Sequence, residues 1–370
     1  MRIFLASGEP SGDLLGASLA GAIRQLVPQA RFEGVGSEQM EAAGVALRTR
    51  TAGWASLGPL EALAKIPPLF ADVWGHALRL CAHPQDLVVL IDFGAYNLRF
   101  AKTLRMLGYR RPILYFFPPG AWLDRAGQAQ AVARYAVALT AFAHQRDFYA
   151  SLGLPIAYFG HPLVELVPPR AARAPAPADG GTVALLPGSR RGELERHLEP
   201  LLAAAGLLRE RRPDARFVVA AADRLCERLI AEALAKQAVP RLEVVRGARA
   251  ALDVADAAWI ASGTAVLEAA LREVPLVAFY IVARAQEPLA RRLWHRPSIT
   301  LPNLVLGREV VPELLQANAT PSRLAAALEA LLAAPAAQLA AARDLRAALG
   351  APDALSRCAA FAVALARDFA

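Results

Sequence analysis

Short apolar runs alternate with longer stretches of helical periodicity along the first half of the chain. A run of consecutive apolar residues bounded by loop residues is typical of a strand buried on both faces. Apolar residues that recur every three or four positions are typical of a helix with one buried face. The pattern predicts strands at 2–7, 31–37, 86–93 and 111–117, an apolar run at 135–143 that suits a buried strand, and helices at 13–26 and 98–107.

The same alternation restarts after a segment without periodicity. Residues 167–181, VPPRAARAPAPADGG, are rich in Pro, Ala and Gly, which is typical of a linker. Beyond it the pattern predicts strands at 182–190, 216–222, 242–247, 257–264 and 275–280, and helices at 193–208, 223–235, 321–334, 336–348 and 353–368.

Strands that alternate with helices predict an α/β fold with two doubly wound parallel sheets. We expect a Rossmann-like domain at 1–166, the linker at 167–181 and a second Rossmann-like domain at 182–335, with a cleft between the domains. The C-terminal helices, 336–370, are expected to pack on the first domain or on a partner chain, and the pattern leaves this choice open. In open parallel sheets, ligands bind beyond the carboxyl ends of the strands.

Composition and charge narrow the classes of partner. The chain has 370 residues, a formal net charge of +8 and 55% hydrophobic residues, which predicts an ordered core. Its basic residues are scattered among acids, so nucleic acid is not an expected partner, whereas a phosphorylated substrate or an anionic membrane surface stays open. The three widely spaced cysteines, Cys81, Cys226 and Cys358, fit a reducing cytoplasm. No uncharged apolar run reaches the roughly 18–20 residues of a membrane span.

The N-terminal loop, SGEPSGDLLGASL, is rich in glycine but also carries two acids. Glu9 and Asp13 would repel a phosphate group, so the loop does not suit a phosphate site. Gly8 and Gly12 would allow the backbone to turn tightly. Glu9, Ser11 and Asp13 could then face hydroxyl groups of a substrate.

A loop in the second half of the chain has the form of an anion site. In LPGSRRGEL, Gly188 and Ser189 precede a helix, whose N-terminal N–H groups and macrodipole favour an anion. Arg190 could pair bidentately with a diphosphate. A capped helix with a solvated arginine would explain the same residues equally well.

A second loop also has the form of an anion site at the start of a helix. In IASGTAVLEAAL, Ser262, Gly263 and Thr264 offer N–H and O–H donors at the start of a helix. Glu268 could accept hydrogen bonds from both hydroxyl groups of a ribose, or could begin an exposed helical face. The two loops together favour a nucleotide diphosphate. Because they match neither the Walker A nor the GxGxxG pattern, a kinase or a dehydrogenase is disfavoured.

Two further residues are candidates by position. Asp92 ends an apolar strand in LIDFGAYNL and could be a general base or a helix cap. His161 in FGHPL lies just before the linker and could be structural or could face a substrate. The other histidines lack the spacing of metal ligands, so neither a metal site nor a cofactor is expected.

The segment GPLEALAKIPPLFADVWGHALRL (58–80) is apolar with few charges. Pro67 and Pro68 are expected to divide it into two helices. These helices could belong to the core, or could form an exposed apolar surface for lipid chains or a membrane face.

Six motifs resemble those of the lipid-A-disaccharide synthases. They are collinear and span nearly the whole chain: SGEPSGDLLGASL, LGPLEAL, FGHPL, LLPGSRRGEL, IASGTAVLEAAL and LPNLVLGREVVPELLQ. The resemblance implies a GT-B glycosyltransferase whose C-terminal domain binds the donor and whose N-terminal domain faces the acceptor. It implies inverting transfer of 2,3-diacylglucosamine from its UDP derivative to 2,3-diacylglucosamine 1-phosphate, which yields a β-1,6 disaccharide and UDP without a metal or other cofactor.

The resemblance also implies a role for each candidate residue. The UDP-sugar would be bound by Gly188, Ser189, Arg190, Ser262, Gly263, Thr264, Glu268 and Asn303. The acceptor would be met by Ser11, Gly12 and His161, and the base would be Asp92, Asp13 or Glu9. The 58–80 segment would meet acyl chains or the cytoplasmic face of the membrane.

The first half departs from the family pattern at two places. The family carries two aspartates three positions apart, whereas here Asp92 keeps the first position and Ala95 holds the second. In FFPPGAW only a proline and Trp122 are retained. Besides the synthase reaction, two interpretations therefore stay open. One is a GT-B relative with another acceptor or a UDP-sugar epimerase, and the other is a UDP-sugar-binding protein without turnover.

Overall fold

The structure, a computed structural model, describes residues 1–51, 54, 59–119, 125–170, 180–283, 287 and 298–368, with the backbone alone at 59–67 and 95. The chain divides into two compact units. The first consists of Met1–Leu166 and Leu349–Ala370, and the second of Val167–Ala348. Trp122, residues 57–58 and residues 171–179 of the predicted linker lie outside the described residues.

The first unit is built on a parallel sheet of seven strands in the order β3-β2-β1-β4-β5-β6-β7. Its strands are β1 (Arg2–Ser7), β2 (Arg31–Gly36), β3 (Ala46–Arg50), β4 (Leu87–Ile91), β5 (Ile113–Phe116), β6 (Val137–Thr140) and β7 (Ala157–Tyr158). Its helices are α1 (Pro10–Leu26), α2 (Glu38–Ala42), α3 (Pro59–Ala82), α4 (Gly94–Met106), α5 (Ala126–Tyr135), α6 (Ala143–Ser151), α7 (Leu163–Leu166) and the last helix of the chain.

The second unit is built on a parallel sheet of six strands in the order β10-β9-β8-β11-β12-β13. Its strands are β8 (Thr182–Leu186), β9 (Arg216–Ala221), β10 (Leu242–Arg246), β11 (Ala257–Ala261), β12 (Leu276–Tyr280) and β13 (Glu313–Leu315). Its helices are α8 (Arg191–Arg211), α9 (Arg224–Lys236), α10 (Ala248–Val254), α11 (Thr264–Leu271), α12 (Leu301–Leu306), α13 (Pro321–Ala333) and α14 (Ala336–Ala348); α15 (Ala354–Asp368) returns to the first unit.

Both sheets carry helices on their two faces, so their central strands are buried throughout. Every residue of β4, with the sequence LVVLI, is buried, as is every residue of β11, AAWIA. This is why the central strands appear in the sequence as continuous apolar runs rather than as alternating ones. The predicted pair of doubly wound parallel sheets is confirmed.

The C-terminal helices belong to different units, which corrects the expected boundary at residue 336. α14 packs on α11 and α12 through Ala341, Ala342 and Leu345, and the Gln338 side chain bonds to both the N–H and the carbonyl of Leu276. These contacts tie residues 336–348 to the second sheet. α15 instead packs on α1 of the same chain, and its first N–H groups donate to the Glu165 carboxylate.

The helix α3 runs without interruption from Pro59 to Ala82, so Pro67 and Pro68 do not divide it. Each proline removes one N–H from the helix ladder, and the packing of α3 against α4 retains the helix despite this loss. Among the described helices, none by itself is long and apolar enough to cross a membrane. The bent pair α13 and α14, with an angle of 84° between them, passes that test of length and composition only when taken together.

Candidate functional site

The first sheet brings two of the predicted acids together. Its strand order places β1 next to β4, and their following helices leave in opposite directions, which creates the crevice where ligands bind in such sheets. Glu9 follows β1 and Asp92 follows β4. Burial and, to a smaller extent, the negative charge of Glu9 raise the pKa of the half-buried Asp92 to about 6, although the Phe93 N–H lowers it in part.

The turn that carries Asp92 has an unusual backbone. Asp92 and Phe93 have φ angles of 48° and 46°, in the left-handed region that a bulky side chain rarely adopts. The buried Asn97 amide nitrogen donates to the carbonyls of Ile91 and Asp92, over 3.1 and 2.9 Å. The Tyr115 hydroxyl also donates to the Asp92 carbonyl, over 3.0 Å. These side chains hold the turn in place, and Asn97 was not singled out from the sequence although it stands in the same motif.

Two glycines of the N-terminal loop lie where neighbouring atoms leave no room for a Cβ. A Cβ at Gly8 would lie 2.2 Å from a ring carbon of Phe93, and one at Gly12 would lie 2.7 Å from the Ser7 hydroxyl. Pro10 occupies the first turn of α1, where a proline is well tolerated. Ser11 follows it and is half-buried.

The structure does not leave Asp13 available as a base. Its side chain is only 2% exposed, and its two oxygens accept the backbone N–H groups of Ser37 and Gln39, over 2.6 and 2.9 Å. These are the first donors of α2, so Asp13 caps that helix from a distance. The sequence could not show this because the partner lies on another helix.

His161 is likewise part of the core rather than a contact for the acceptor. It is 3% exposed, packs against the rings of Phe117 and Phe142, and its Nδ1 accepts the Leu163 N–H over 3.1 Å. Burial lowers the pKa of His161 to about 3, so the ring is neutral at physiological pH.

The second sheet brings the two predicted anion loops together. Its strand order places β8 next to β11, and the loops that follow them contain Gly188–Arg190 and Ser262–Gly263. This crevice is the counterpart of the one that holds Asp92 in the first sheet. The two motifs therefore lie at the position that the sequence predicted for a ligand.

The first of these loops is occupied by a carboxylate of the chain itself. Glu193 Oε2 accepts the N–H groups of Ser189 and Arg190, over 3.0 and 3.2 Å, and Oε1 accepts the Tyr280 hydroxyl over 2.9 Å. Gly188 is required here because a Cβ would lie 2.3 Å from Glu193 Oε2, and its φ is 110°. The expectation that the Ser189 N–H faces a diphosphate is thus corrected, because the Glu193 carboxylate accepts it. Arg190 itself has a 40% exposed side chain beside Glu193.

The second loop begins its helix with a glycine. α11 begins at Thr264, and Gly263, the residue at its N-cap, has no side chain that could cap the helix. Gly263 and Thr264 are exposed, and the Ser262 hydroxyl donates to the Ile299 carbonyl over 3.3 Å. Unpaired N–H groups at a helix start favour an anion.

Glu268 lies one turn further along α11 and is held by an arginine. Its Oε1 lies 3.5 Å from Nε of Arg272, whose side chain is buried and also pairs with Asp253. The two side chains form an ion pair, which places the Glu268 carboxylate beside Arg272. This geometry is compatible with the predicted ribose contact.

The Asn303 side chain is fully hydrogen-bonded to residues close to it in the chain. This corrects its assignment as a residue that binds the UDP-sugar. Its Oδ1 accepts the N–H groups of Val310 and Val311, over 2.7 and 2.8 Å, and its Nδ2 donates to the Val311 carbonyl and to Glu313. Glu313 in turn accepts the N–H groups of Ile299 and Thr300 at the start of α12. The pair fixes the segment that the Ser262 hydroxyl touches.

His197 was not predicted, although it joins two loops of the second crevice. Its Nδ1 lies 2.7 Å from the Pro187 carbonyl, and its Nε2 accepts the Ile281 N–H over 3.1 Å. Burial lowers the pKa of His197, so the neutral ring bridges the loops after β8 and β12. Within the part of the chain that the structure describes, no three His, Cys, Asp or Glu side chains converge in a way that could ligate a metal ion.

Comparison with known proteins identifies the family. Residues 3–357 match the family described as lipid-A-disaccharide synthetase. The lipid-A-disaccharide synthase of Syntrophus aciditrophicus (strain SB) is 35% identical over 98% of this chain and 97% of its own length. The chain belongs to the lipid-A-disaccharide synthase family. That assignment confirms the resemblance inferred from the six motifs and makes the protein a glycosyltransferase by family.

Solved structures show the fold of this synthase family member independently. The calicheamicin glycosyltransferase CalG4 gives a TM-score of 0.58 at 17% identity, covering 100% of this chain and 99% of its own. The UDP-GlcNAc 2-epimerase of Neisseria meningitidis, solved bound to UDP-GlcNAc, gives a TM-score of 0.61 at 9% identity, covering 98% and 100%. At such identities the likeness establishes the fold alone, which is the predicted GT-B fold.

Proposed function

We propose that the protein transfers 2,3-diacylglucosamine from its UDP derivative to the 6-hydroxyl of 2,3-diacylglucosamine 1-phosphate, with inversion, to give a β-1,6 disaccharide and UDP. The family match over residues 3–357 carries the choice of reaction. The two crevices supply the chemistry that this reaction needs.

In this proposal the base is Asp92. Its carboxylate takes the proton of the acceptor hydroxyl as the hydroxyl oxygen bonds to C1 of the donor sugar. The bond from C1 to the diphosphate oxygen breaks on the opposite side, and UDP leaves. A pKa of about 6 suits the role, because the group is ionised above that pH yet is a better proton acceptor than an ordinary carboxylate. Glu9 contributes by keeping that pKa raised.

On the donor side the leaving diphosphate gains negative charge as the bond breaks. The exposed start of α11 at Gly263 and Thr264 supplies N–H donors, and Arg190 supplies a cation. Glu268 would accept the ribose hydroxyls. Asn303 acts through the loop that it holds, since its side-chain amide is engaged within the chain, and the backbone N–H of Ser189 is engaged by Glu193.

The test is transfer itself. Purified protein given UDP-diacylglucosamine and the lipid acceptor should release UDP, and Asp92→Asn should abolish that release. Arg190→Ala and Glu268→Ala should each weaken UDP binding measured by calorimetry. UDP release that does not need the lipid acceptor would instead favour another acceptor or an epimerase, and tight UDP binding without turnover on any sugar would favour a binding protein.

We further propose that α3 rests on an anionic membrane face, on the cytoplasmic side that the cysteines predict. One face of α3 is in the core, whereas Phe70, Trp74 and Leu78, four residues apart, are 39%, 42% and 55% exposed. The Arg99 guanidinium stacks 4.4 Å above the Phe70 ring, and Lys102 is exposed on the same helix as Arg99. An apolar stripe bordered by basic residues is typical of an interfacial helix.

Sedimentation with phosphatidylglycerol vesicles tests this surface. The triple variant Phe70→Ser, Trp74→Ser, Leu78→Ser should lose vesicle binding, and Val244→Ser, at a 44% exposed valine of the second unit, should retain it. Equal binding by both variants would exclude the α3 surface. The sequence also leaves a homodimer open, which the mass of the protein in solution tests directly.

A further inference from the structure

Four side chains from three elements of the first unit form one chain of hydrogen bonds. Asp72 and His76 lie one turn apart on α3, Thr49 lies in β3, and Tyr96 lies in the first turn of α4. The Tyr96 hydroxyl donates to Asp72 Oδ2 and the Thr49 hydroxyl to Asp72 Oδ1, each over 2.7 Å. His76 Nε2 lies 2.9 Å from Thr49 Oγ1. Because the Thr49 proton is used on Asp72, the network assigns a proton to His76 Nε2.

The network is built around an ionised carboxylate. Burial alone would raise the pKa of Asp72, but hydrogen bonds from His76, Tyr96 and Thr49 outweigh it and hold the pKa below its usual value. Burial and the Asp72 charge both raise the pKa of Tyr96, so its hydroxyl stays protonated. The bond between them is therefore charge-assisted, which makes it stronger than a bond between neutral groups.

Tyr96 reaches from this network to the turn that carries the proposed base. Its ring centroid lies 5.9 Å from that of Phe93 and 5.4 Å from that of Trp54, and its N–H donates to the Phe93 carbonyl over 3.1 Å. The Phe93 ring also lies against Gly8, where a Cβ would come within 2.2 Å of a ring carbon. Phe93 therefore packs against both the N-terminal loop and the Tyr96 ring.

We propose that Asp72 is a positioning residue for the transferase reaction, and that it acts through the Tyr96 hydroxyl on the Asp92–Phe93 turn. A phenylalanine in the left-handed region persists only where its surroundings impose that conformation. Tyr96, fixed at its hydroxyl and along its ring, supplies part of that constraint. Without the anchor the turn relaxes, and the Asp92 carboxylate leaves its position beside Glu9. Only the kinetic test of this inference rests on the proposed function.

Removing the hydroxyl while keeping the ring tests the idea. Tyr96→Phe and Asp72→Asn should each lower kcat about tenfold, because a small displacement of a base is costly, while the KM for the UDP donor stays unchanged. The double variant should have no lower kcat than Asp72→Asn alone, since both substitutions act on the same bond between Asp72 and Tyr96. Tyr109→Phe is a matched control: Tyr109 is as buried as Tyr96, both at 4% exposure, and its hydroxyl donates to the Gln85 carbonyl over 3.0 Å, before the amino end of β4.

A second measurement does not depend on activity. Hydrogen exchange at the amides of residues 93–97 should be faster in Tyr96→Phe than in the wild type, and unchanged there in Tyr109→Phe. The inference is overturned if kcat and this exchange are unchanged in Tyr96→Phe, or if Tyr109→Phe loses as much kcat, since the effect would then reflect stability alone. A wild-type protein without transfer activity would contradict the proposed function, and the exchange result would still decide the positioning role.

Discussion

The carboxylate of Glu193 accepts the backbone N–H of Ser189 over 3.0 Å. The same side chain holds the Arg190 N–H over 3.2 Å and the Tyr280 hydroxyl over 2.9 Å. The helix N-terminus that the sequence offered to a diphosphate therefore already binds an anion, one that belongs to the chain. Its loop is ordered before a nucleotide arrives, and Arg190 is placed beside the start of the helix.

Replacing Glu193 by alanine is expected to destabilise the protein and to weaken UDP binding. Three uncharged donors and the Arg190 guanidinium lose their partner at once, so the free energy of unfolding should fall by about 1–3 kcal/mol. UDP affinity should fall because Arg190 is no longer oriented. Chemical denaturation and calorimetry measure the two effects. Tyr280→Phe, which removes only one of the three donors, should show a smaller loss of both, and unchanged UDP affinity in Glu193→Ala would mean that the loop does not bind the donor.

The positions of the two crevices could be predicted from the sequence. Continuous apolar runs mark central parallel strands, and their carboxyl ends are followed by the motifs that hold Asp92, Arg190 and Thr264. The outermost strands could not be found in the same way. β3, with the sequence ALRTR, alternates half-exposed and exposed residues, and β13 has three residues only. Neither forms an apolar run.

The role of an individual polar side chain was much harder to predict. Asp13, His161 and Asn303 have the residue types and positions of ligands, yet each is buried and bonded to backbone groups. A carboxylate that caps a distant helix looks the same in sequence as one that faces a substrate. Its partner is decided by tertiary packing, which no local pattern records. The Asp72–Tyr96 bond, between two helices, escaped notice for the same reason.

The rate of transfer should fall as the pH drops through about 6. Asp92 must be ionised to accept a proton, and burial, with the charge of Glu9, raises its pKa to about 6. Glu9→Gln removes that charge, so the acidic limb of the profile of kcat/KM should move to lower pH while activity remains. Complete loss of activity in Glu9→Gln at every pH would identify Glu9 as the base instead.

At neutral pH the ionised Asp92 carboxylate lowers the stability of the folded state, because its pKa is raised in that state. Its folded-state pKa of about 6 exceeds the usual 3.8, so the folded protein binds this proton more tightly than the unfolded chain does. The resulting stability is fully present below about pH 4 and is lost as the pH rises through about 6. Asp92→Asn should therefore be more stable than the wild type at pH 7.5, by about 1–2 kcal/mol, although inactive. Thermal denaturation at pH 7.5 and pH 4 checks this, because the difference should vanish at the lower pH.

Asn303→Ala is expected to affect stability far more than donor binding. The substitution leaves the half-buried N–H of Val310 and the buried N–H of Val311 without an acceptor, which costs about 2–4 kcal/mol. UDP affinity of the folded protein, measured at low temperature, should stay within about threefold of the wild type, since the amide is fully engaged inside the chain. A large loss of UDP affinity without a loss of stability would show that Asn303 binds the UDP-sugar directly.

Two glycine substitutions near the N-terminus should have opposite effects on stability. Gly8→Ala places a Cβ 2.2 Å from the Phe93 ring, which also packs against the Tyr96 ring, so the loop or the Phe93 ring must shift. We expect a loss of about 1–3 kcal/mol in the free energy of unfolding, together with loss of transfer activity as the Asp92 turn shifts. Gly21→Ala, on the exposed side of α1, meets no atom within 4 Å and should stabilise the helix by up to about 1 kcal/mol with activity intact. Chemical denaturation of the two variants in parallel measures the change in the free energy of unfolding for each. A Gly8→Ala protein as stable and as active as the wild type would contradict the close approach between Gly8 and Phe93.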